Sequence, residues 1–173
     1  MKLAQCIILD LLKDYDPVPI LPETCDFHFS GVQLLDQDNP TDDPSILYIG
    51  TTTQISSFDT EKLKDFCIIC IGKKEDVSSY IENYQANLIL IPENHSLASV
   101  VNTLYTGFHR ILSWDGELQN AILRKQNYQS LFSIGGRFFG KNVMLMVNSS
   151  YNVIGANLLE APVHEKLDFI LKN

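Results

Sequence analysis

Basic residues are scarce in this chain: 13 Lys and Arg stand against 21 Asp and Glu, giving a formal net charge of −8. Gripping a polyanion requires a clustered basic face. Here the densest basic pair is Lys73-Lys74, so nucleic-acid binding by this chain alone is not expected. Long apolar runs are also missing. No segment approaches the roughly 20 apolar residues that span a bilayer, and Asp10, Lys13 and Asp14 interrupt the N-terminal apolar stretch, which has no small-residue cleavage site. A cytoplasmic location without membrane contact follows as the expectation. Four cysteines in 173 residues are too few for a secreted disulfide scaffold. No G-x-G-x-x-G and no G-x-x-x-x-G-K-[ST] occurs, so a nucleotide site has no motif behind it.

What is present is an ordinary globular composition, 45% hydrophobic and 20% charged, in a chain long enough to bury a core without cofactor or metal. Residues 3–13 carry apolar side chains in helical rhythm. Three prolines within DYDPVPILPE then impose an extended connector. GVQLLD (31–36) and SILYIG (45–50) read as strands, separated by the acidic loop 36–44. TTTQISSFD reads as polar, hydroxyl-rich connection, and 59–65 as a short helix. FCIICIG (66–72) and NLILIP (87–92) are apolar without alternation, the pattern of strands covered on both faces. A surface helix is expected over 74–86. A longer helix follows, with Leu97, Val100, Val101, Leu104, Phe108, Ile111 and Leu112 on one face. Strand alternating with helix over 45–112 implies an α/β fold: a small, mostly parallel sheet covered by helices, with residues 3–13 and 31–36 attached at an edge. A further helix is expected over 113–136, ended by Gly135-Gly136, and then a β-hairpin in NVMLMVNSSYNVIGAN (142–157). An isolated ribbon is marginal in water. Val143, Leu145, Val147, Val153 and Ile154 must therefore pair with a second copy or dock on the preceding helix.

Several constellations invite chemistry. Cys67-Ile-Ile-Cys70 is a C-x-x-C, but within a strand residues three apart face opposite sides, so two core cysteines are the better reading. Asp36, Asp38, Asp42 and Asp43 do not form a calcium loop, because the sixth and twelfth positions hold Thr41 and Leu47 where Gly and Glu are needed. Gly50, Thr51, Thr52 and Thr53 follow a predicted parallel strand, and Glu93, Asn94, His95 and Ser96 follow another. Ligands in open α/β sheets bind outside the carboxyl ends of strands. These two turns are accordingly the walls of a candidate ligand cleft. Turn chemistry and helix capping are the alternatives.

In order, ILYIG, FCIICIG and ANLILIPENHSLASVVNTLYTGF resemble the N-terminal sensory region of PucR/CdaR-like bacterial transcription regulators. A helix carrying Trp114 and Leu118 resembles their linker, and NVMLMVNSSYNVIGAN resembles the opening phrase of their central GAF- or PAS-like domain. The resemblance covers roughly residues 1–160. It implies a sensory domain (1–112), a linker and dimerisation helix (113–136) and the hairpin fragment of a following GAF/PAS-like domain (137–173). It implies a non-catalytic role: a small effector or partner biases a DNA-binding domain outside this sequence. A homodimer would pack along Leu118, Ala121, Ile122 and Leu131, with Lys125 interrupting the seam. The competing functions are a small-molecule enzyme using the 50–53 and 92–96 turns, and a pure dimerisation scaffold.

Overall fold

The computed structural model describes residues 2–20, 27–36, 43–57, 63, 66–78, 81, 87–139, 144–147, 149–150 and 153–157. The chain divides into two compact units, Met1–His109 and Arg110–Asn173.

The first unit is built on a five-stranded sheet. Its strands are β2 (Val18–Ile20), β4 (Gly31–Leu34), β5 (Ile46–Thr51), β6 (Cys67–Ile71) and β7 (Asn87–Ile91), in the order β2-β7-β6-β5-β4. β4, β5, β6 and β7 run parallel, and β2 joins antiparallel to β7. A separate two-stranded pair, β1 (Leu3–Ala4) with β3 (His28–Phe29), lies in the same unit, with helix α1 (Gln5–Leu11) directly after β1. The fold is thus mixed α/β with a mostly parallel sheet.

The two apolar ribbons lie side by side in the interior of the sheet: every residue of β6 and β7 is buried. Their register places Ile49, Ile69 and Ile89 in one row across β5, β6 and β7, and Tyr48, Ile68 and Leu88 in the next. Adjacent rows point to opposite faces. On one face Tyr48, Ile68 and Leu88 pack with Ile55, Leu63 and Val77. On the other, Leu47, Ile49, Cys67, Ile69, Ile89 and Ile91 are equally withdrawn from water. Ile8, Val100, Leu104 and Phe108 are also buried and stand outside the first cluster. Each Leu or Ile so buried contributes about 1.5–3 kcal/mol. Absence of alternation in 66–71 and 87–91 therefore corresponds to strands withdrawn from water on both faces.

Several elements differ from the sequence reading. The proline-rich connector contains β2, with Pro19 opposite Ile89. Proline is tolerated there because β2 is an edge strand, where a missing N–H can face outward without breaking the ladder. The hydroxyl-rich TTTQISS forms a helix, α2 (Thr52–Ser57). Its start is a capping box: Thr51 N–H donates to Gln54 Oε1 (2.8 Å) and Gln54 N–H donates to Thr51 Oγ1 (3.3 Å). The amide of Gln54 also donates to Leu35 O at 3.2 Å, tying α2 to the end of β4. Third, α3 (Leu97–Leu123) continues through residues 112–113, where one helix was expected to end and another to begin.

Of the helix expected at 59–65, only Leu63 and its burial are described; the rest lies outside the described residues. In 74–86 the described part is a 3-10 turn at Glu75–Val77 with helical Ser78 and Ile81. Asp38, Asp42 and Cys25 also lie outside the described residues. At the end of the acidic loop, the Asp43 carboxylate accepts the Ser45 N–H at 2.8 Å. That bond and the Ser45 hydroxyl hold its pKa below the ordinary carboxylate value.

In the second unit α3 ends in a Schellman motif. Lys125 takes the left-handed conformation (φ 52°), its N–H donates to Ile122 O (2.9 Å), and Gln126 N–H donates to Ala121 O (3.0 Å). Asn127 then caps α4 (Tyr128–Phe139) by accepting the Ser130 N–H at 3.0 Å. The chain therefore turns between two helices where a single helix over 113–136 was expected. Gly135 and Gly136, read as a stop, are buried inside α4. Strands β8 (Met144–Val147) and β9 (Val153–Asn157) pair antiparallel, with an irregularity between Met146 and Val147, and the ribbon lies against α4. The side chains of Val143, Leu145, Val147, Val153 and Ile154 lie outside the described residues. No helix among the described residues is long and apolar enough to cross a membrane.

Candidate functional site

The carboxyl ends of β5, β6 and β7 place the two sequence-predicted turns along one edge of the sheet. The turn after β6 lies between them. Gly72 N–H donates to Ile91 O (3.0 Å), which carries β6 on to the end of β7. Gly72 also has a left-sided backbone (φ 152°), and a Cβ there would run into Thr52 Cγ2. Thr52 is 7% exposed, and its hydroxyl donates to Asp76 Oδ2 over a long 3.4 Å. Lys73 Nζ reaches Glu93 Oε1 at 3.4 Å, both side chains being more than half exposed. That pair adds little stability.

The predicted hydroxyls do not converge on a common point. Thr51 is engaged in the capping box. Thr52 turns into the fold against Gly72 and Asp76. Thr53 is exposed on α2. Gly50 is buried, with Leu35 Cβ 3.0 Å from where its own Cβ would sit.

The second turn, 92–96, acts mainly on the start of α3. His95 N–H donates to Pro92 O (3.2 Å), and Ser96 Oγ accepts the Ser99 N–H (3.1 Å) as the N-cap. Glu93 and Asn94 are exposed. The half-buried His95 ring meets Tyr15 edge-on, ring centres 5.0 Å apart. The Tyr15 hydroxyl lies 2.8 Å from both Ser99 Oγ and Thr103 Oγ1. Tyr15 and Asp76 were therefore missed as members of this edge. Asp76 is two positions past the Lys73-Lys74 pair and carries no motif. Tyr15 comes from the opposite end of the unit's sequence, and nothing local to it announces the contact.

Cys67 and Cys70 sit in β6, both fully buried. Burial, with the Asp76 charge adding to it, pushes the Cys70 thiol up to about 12. A thiol so held is not a nucleophile at neutral pH. Among the described residues, no cluster of His, Cys, Asp and Glu could hold a metal ion.

The four proposed interface residues are separated by the turn at Lys125. Ala121 is 2% exposed, Leu118 and Leu131 are half-buried, and Ile122 is 62% exposed. Leu123 and Tyr128 join Ile122 as exposed apolar residues around this turn. Trp114, at the other end of the helix pair, stacks on Phe138 at 4.3 Å, and Arg110 lies over the Phe138 ring at 5.2 Å.

No protein-family model matches the chain, and neither a curated protein nor a solved structure does.

Proposed function

We propose that the chain is the non-catalytic sensory region of a PucR/CdaR-like bacterial transcription regulator, acting through a DNA-binding domain that would lie outside this sequence. The order of sequence phrases motivates the reading. The observation that carries it is the course of α3. This helix starts at the Ser96 cap, directly after the turn at the carboxyl end of β7, and runs without a break into the second unit.

A ligand or partner on the 92–96 turn would touch His95, and through Tyr15 the hydroxyls of Ser99 and Thr103 in the opening turns of α3. Occupancy would thereby favour one placement of the helix start over another, which is what a signal needs in order to shift an equilibrium. The second unit then serves as linker and dimerisation element. Because Ala121 is buried, the seam shifts to the exposed Ile122, Leu123 and Tyr128.

The test is sedimentation equilibrium on the chain and on Ile122→Glu. The reading expects a dimer that Ile122→Glu converts to monomer, while Val18→Glu on the exposed edge strand leaves the dimer intact. A wild-type monomer at high concentration would remove the dimerisation step.

A further inference from the structure

We propose that the groove between the last turns of α3 and helix α4 binds a small organic anion through its carboxylate or phosphate oxygens. The groove has a volume of about 540 Å3, within the roughly 300–1,000 Å3 of small-ligand pockets. It lies wholly in the second unit and is distinct from the sheet edge.

Its floor is apolar, formed by the buried Ala121 and the half-buried Ile134. Its rim is polar and carries two guanidinium groups against one carboxylate. The Glu117 carboxylate is engaged by Arg137 at 2.8 Å. Asn127 Oδ1 accepts both the N–H and the hydroxyl of Ser130, each at 3.0 Å. One oxygen of Glu117 and the Asn127 Oδ1 are thus already in use. The Arg124 guanidinium, the Arg137 N–H groups not held by Glu117, and the Asn127 Nδ2 protons are donors. The Asn120 and Gln126 amides can turn either end inward.

The guanidinium donors of Arg124 and Arg137 favour a ligand that brings acceptors. Glu117, Arg124 and Arg137 together leave an excess positive charge on the rim of a chain whose net charge is −8. Among the described residues Arg124 has no carboxylate partner. Arg137 is already oriented by its pair with Glu117, so less side-chain freedom is lost when it bonds an anion. The backbone beneath the rim is fixed as well: Arg124 N–H donates to Asn120 O (3.0 Å), one step before the two bonds of the Schellman motif. Guanidinium groups suit carboxylate and phosphate equally by their planar fork.

This inference does not rest on the regulatory reading, because binding is read directly. The experiment is a heteronuclear NMR titration of the whole chain with citrate, glycerol 3-phosphate and inorganic phosphate, with glycerol as the neutral control. The expected result is saturable movement of the Arg124 side-chain N–H and the Gln126 and Asn127 amide signals with at least one of the anions. Preference for citrate or for glycerol 3-phosphate identifies which anionic group the groove takes. Arg124→Gln should weaken binding about tenfold, the loss of one charge-assisted bond, while Lys74→Gln leaves it unchanged. Absence of saturation up to about 10 mM of every anion, far above useful affinity, would overturn the proposal. Equal weakening by both substitutions would overturn it too, since that is a general charge effect. Should Arg124→Gln melt early, the wild-type shift map decides alone: movement confined to other residues counts against the groove.

Discussion

Gly72 and Thr52 meet at the carboxyl edge of the sheet so closely that a Cβ on the glycine would overlap the threonine side chain. The contact joins the turn after β6 to the first residue of α2, and Thr52 is buried in making it. It sets the turn after β6 directly against the start of α2.

Gly72→Ala should be among the more damaging single substitutions in the first unit. The new methyl clashes with Thr52, and φ 152° is costly for any residue with a Cβ. A loss of about 2–3 kcal/mol is expected from strain and overpacking together, read as a lower midpoint in denaturant with unchanged slope. The double variant Gly72→Ala/Thr52→Ser removes Thr52 Cγ2 and should recover part of the loss.

Cys70 makes the fold sensitive to alkali. Its thiol ionises at about 12 in the folded chain against an ordinary value of 9.0. Above pH 9.0 the unfolded chain releases this proton while the folded chain keeps it, so the unfolded state binds fewer protons. Stability then falls as pH rises from 9.0 towards 12. Alkali acts on other groups as well, so the measurement is a difference: unfolding free energy against pH for wild type and Cys70→Ala. The variant should show the shallower decline above pH 9.0, although its cavity lowers its stability at neutral pH.

Lys125 is a non-glycine residue in the left-handed region at a helix end. Gly there relieves the Cβ conflict and retains both Schellman bonds, so Lys125→Gly should raise stability by about 1 kcal/mol. Lys125→Val, branched at Cβ, should lower it. Thermal midpoints of the three proteins check the order.

The same residue shows where the sequence stops being readable. The helix over 97–112 was legible because its apolar spacing is regular, and the central strands were legible because they lack alternation. The end of α3 was not, since the sequence mark for such a stop is glycine and the position holds lysine. The glycine pair that read as a stop, Gly135-Gly136, lies inside α4 instead. Pro19 concealed β2 in the same way: proline argues against a strand everywhere except at an edge, and edges are known only once the sheet is assembled. For α2 the signal was present, since Thr51-Thr52-Thr53-Gln54 has capping-box spacing, but the hydroxyl-rich composition pointed to a loop.

The candidate site was legible only as two turns at strand ends. The Tyr15 contact to His95, Ser99 and Thr103 depends on chain segments brought together by folding. So does the separation of Thr51 and Thr52, one spent on a cap and the other turned into the fold. The residues expected along a dimer seam, Leu118, Ala121, Ile122 and Leu131, fall on two helices because the chain turns at Lys125.

Amide hydrogen exchange along α3 is the most direct test of the claim that one unbroken helix leads from the 92–96 turn into the second unit. A single protected stretch from Val101 to Ala121 is predicted, with no faster segment at His109–Ser113. Rapid exchange confined to those residues, with protected amides on either side, would divide the helix in two and leave the proposed signal without its path.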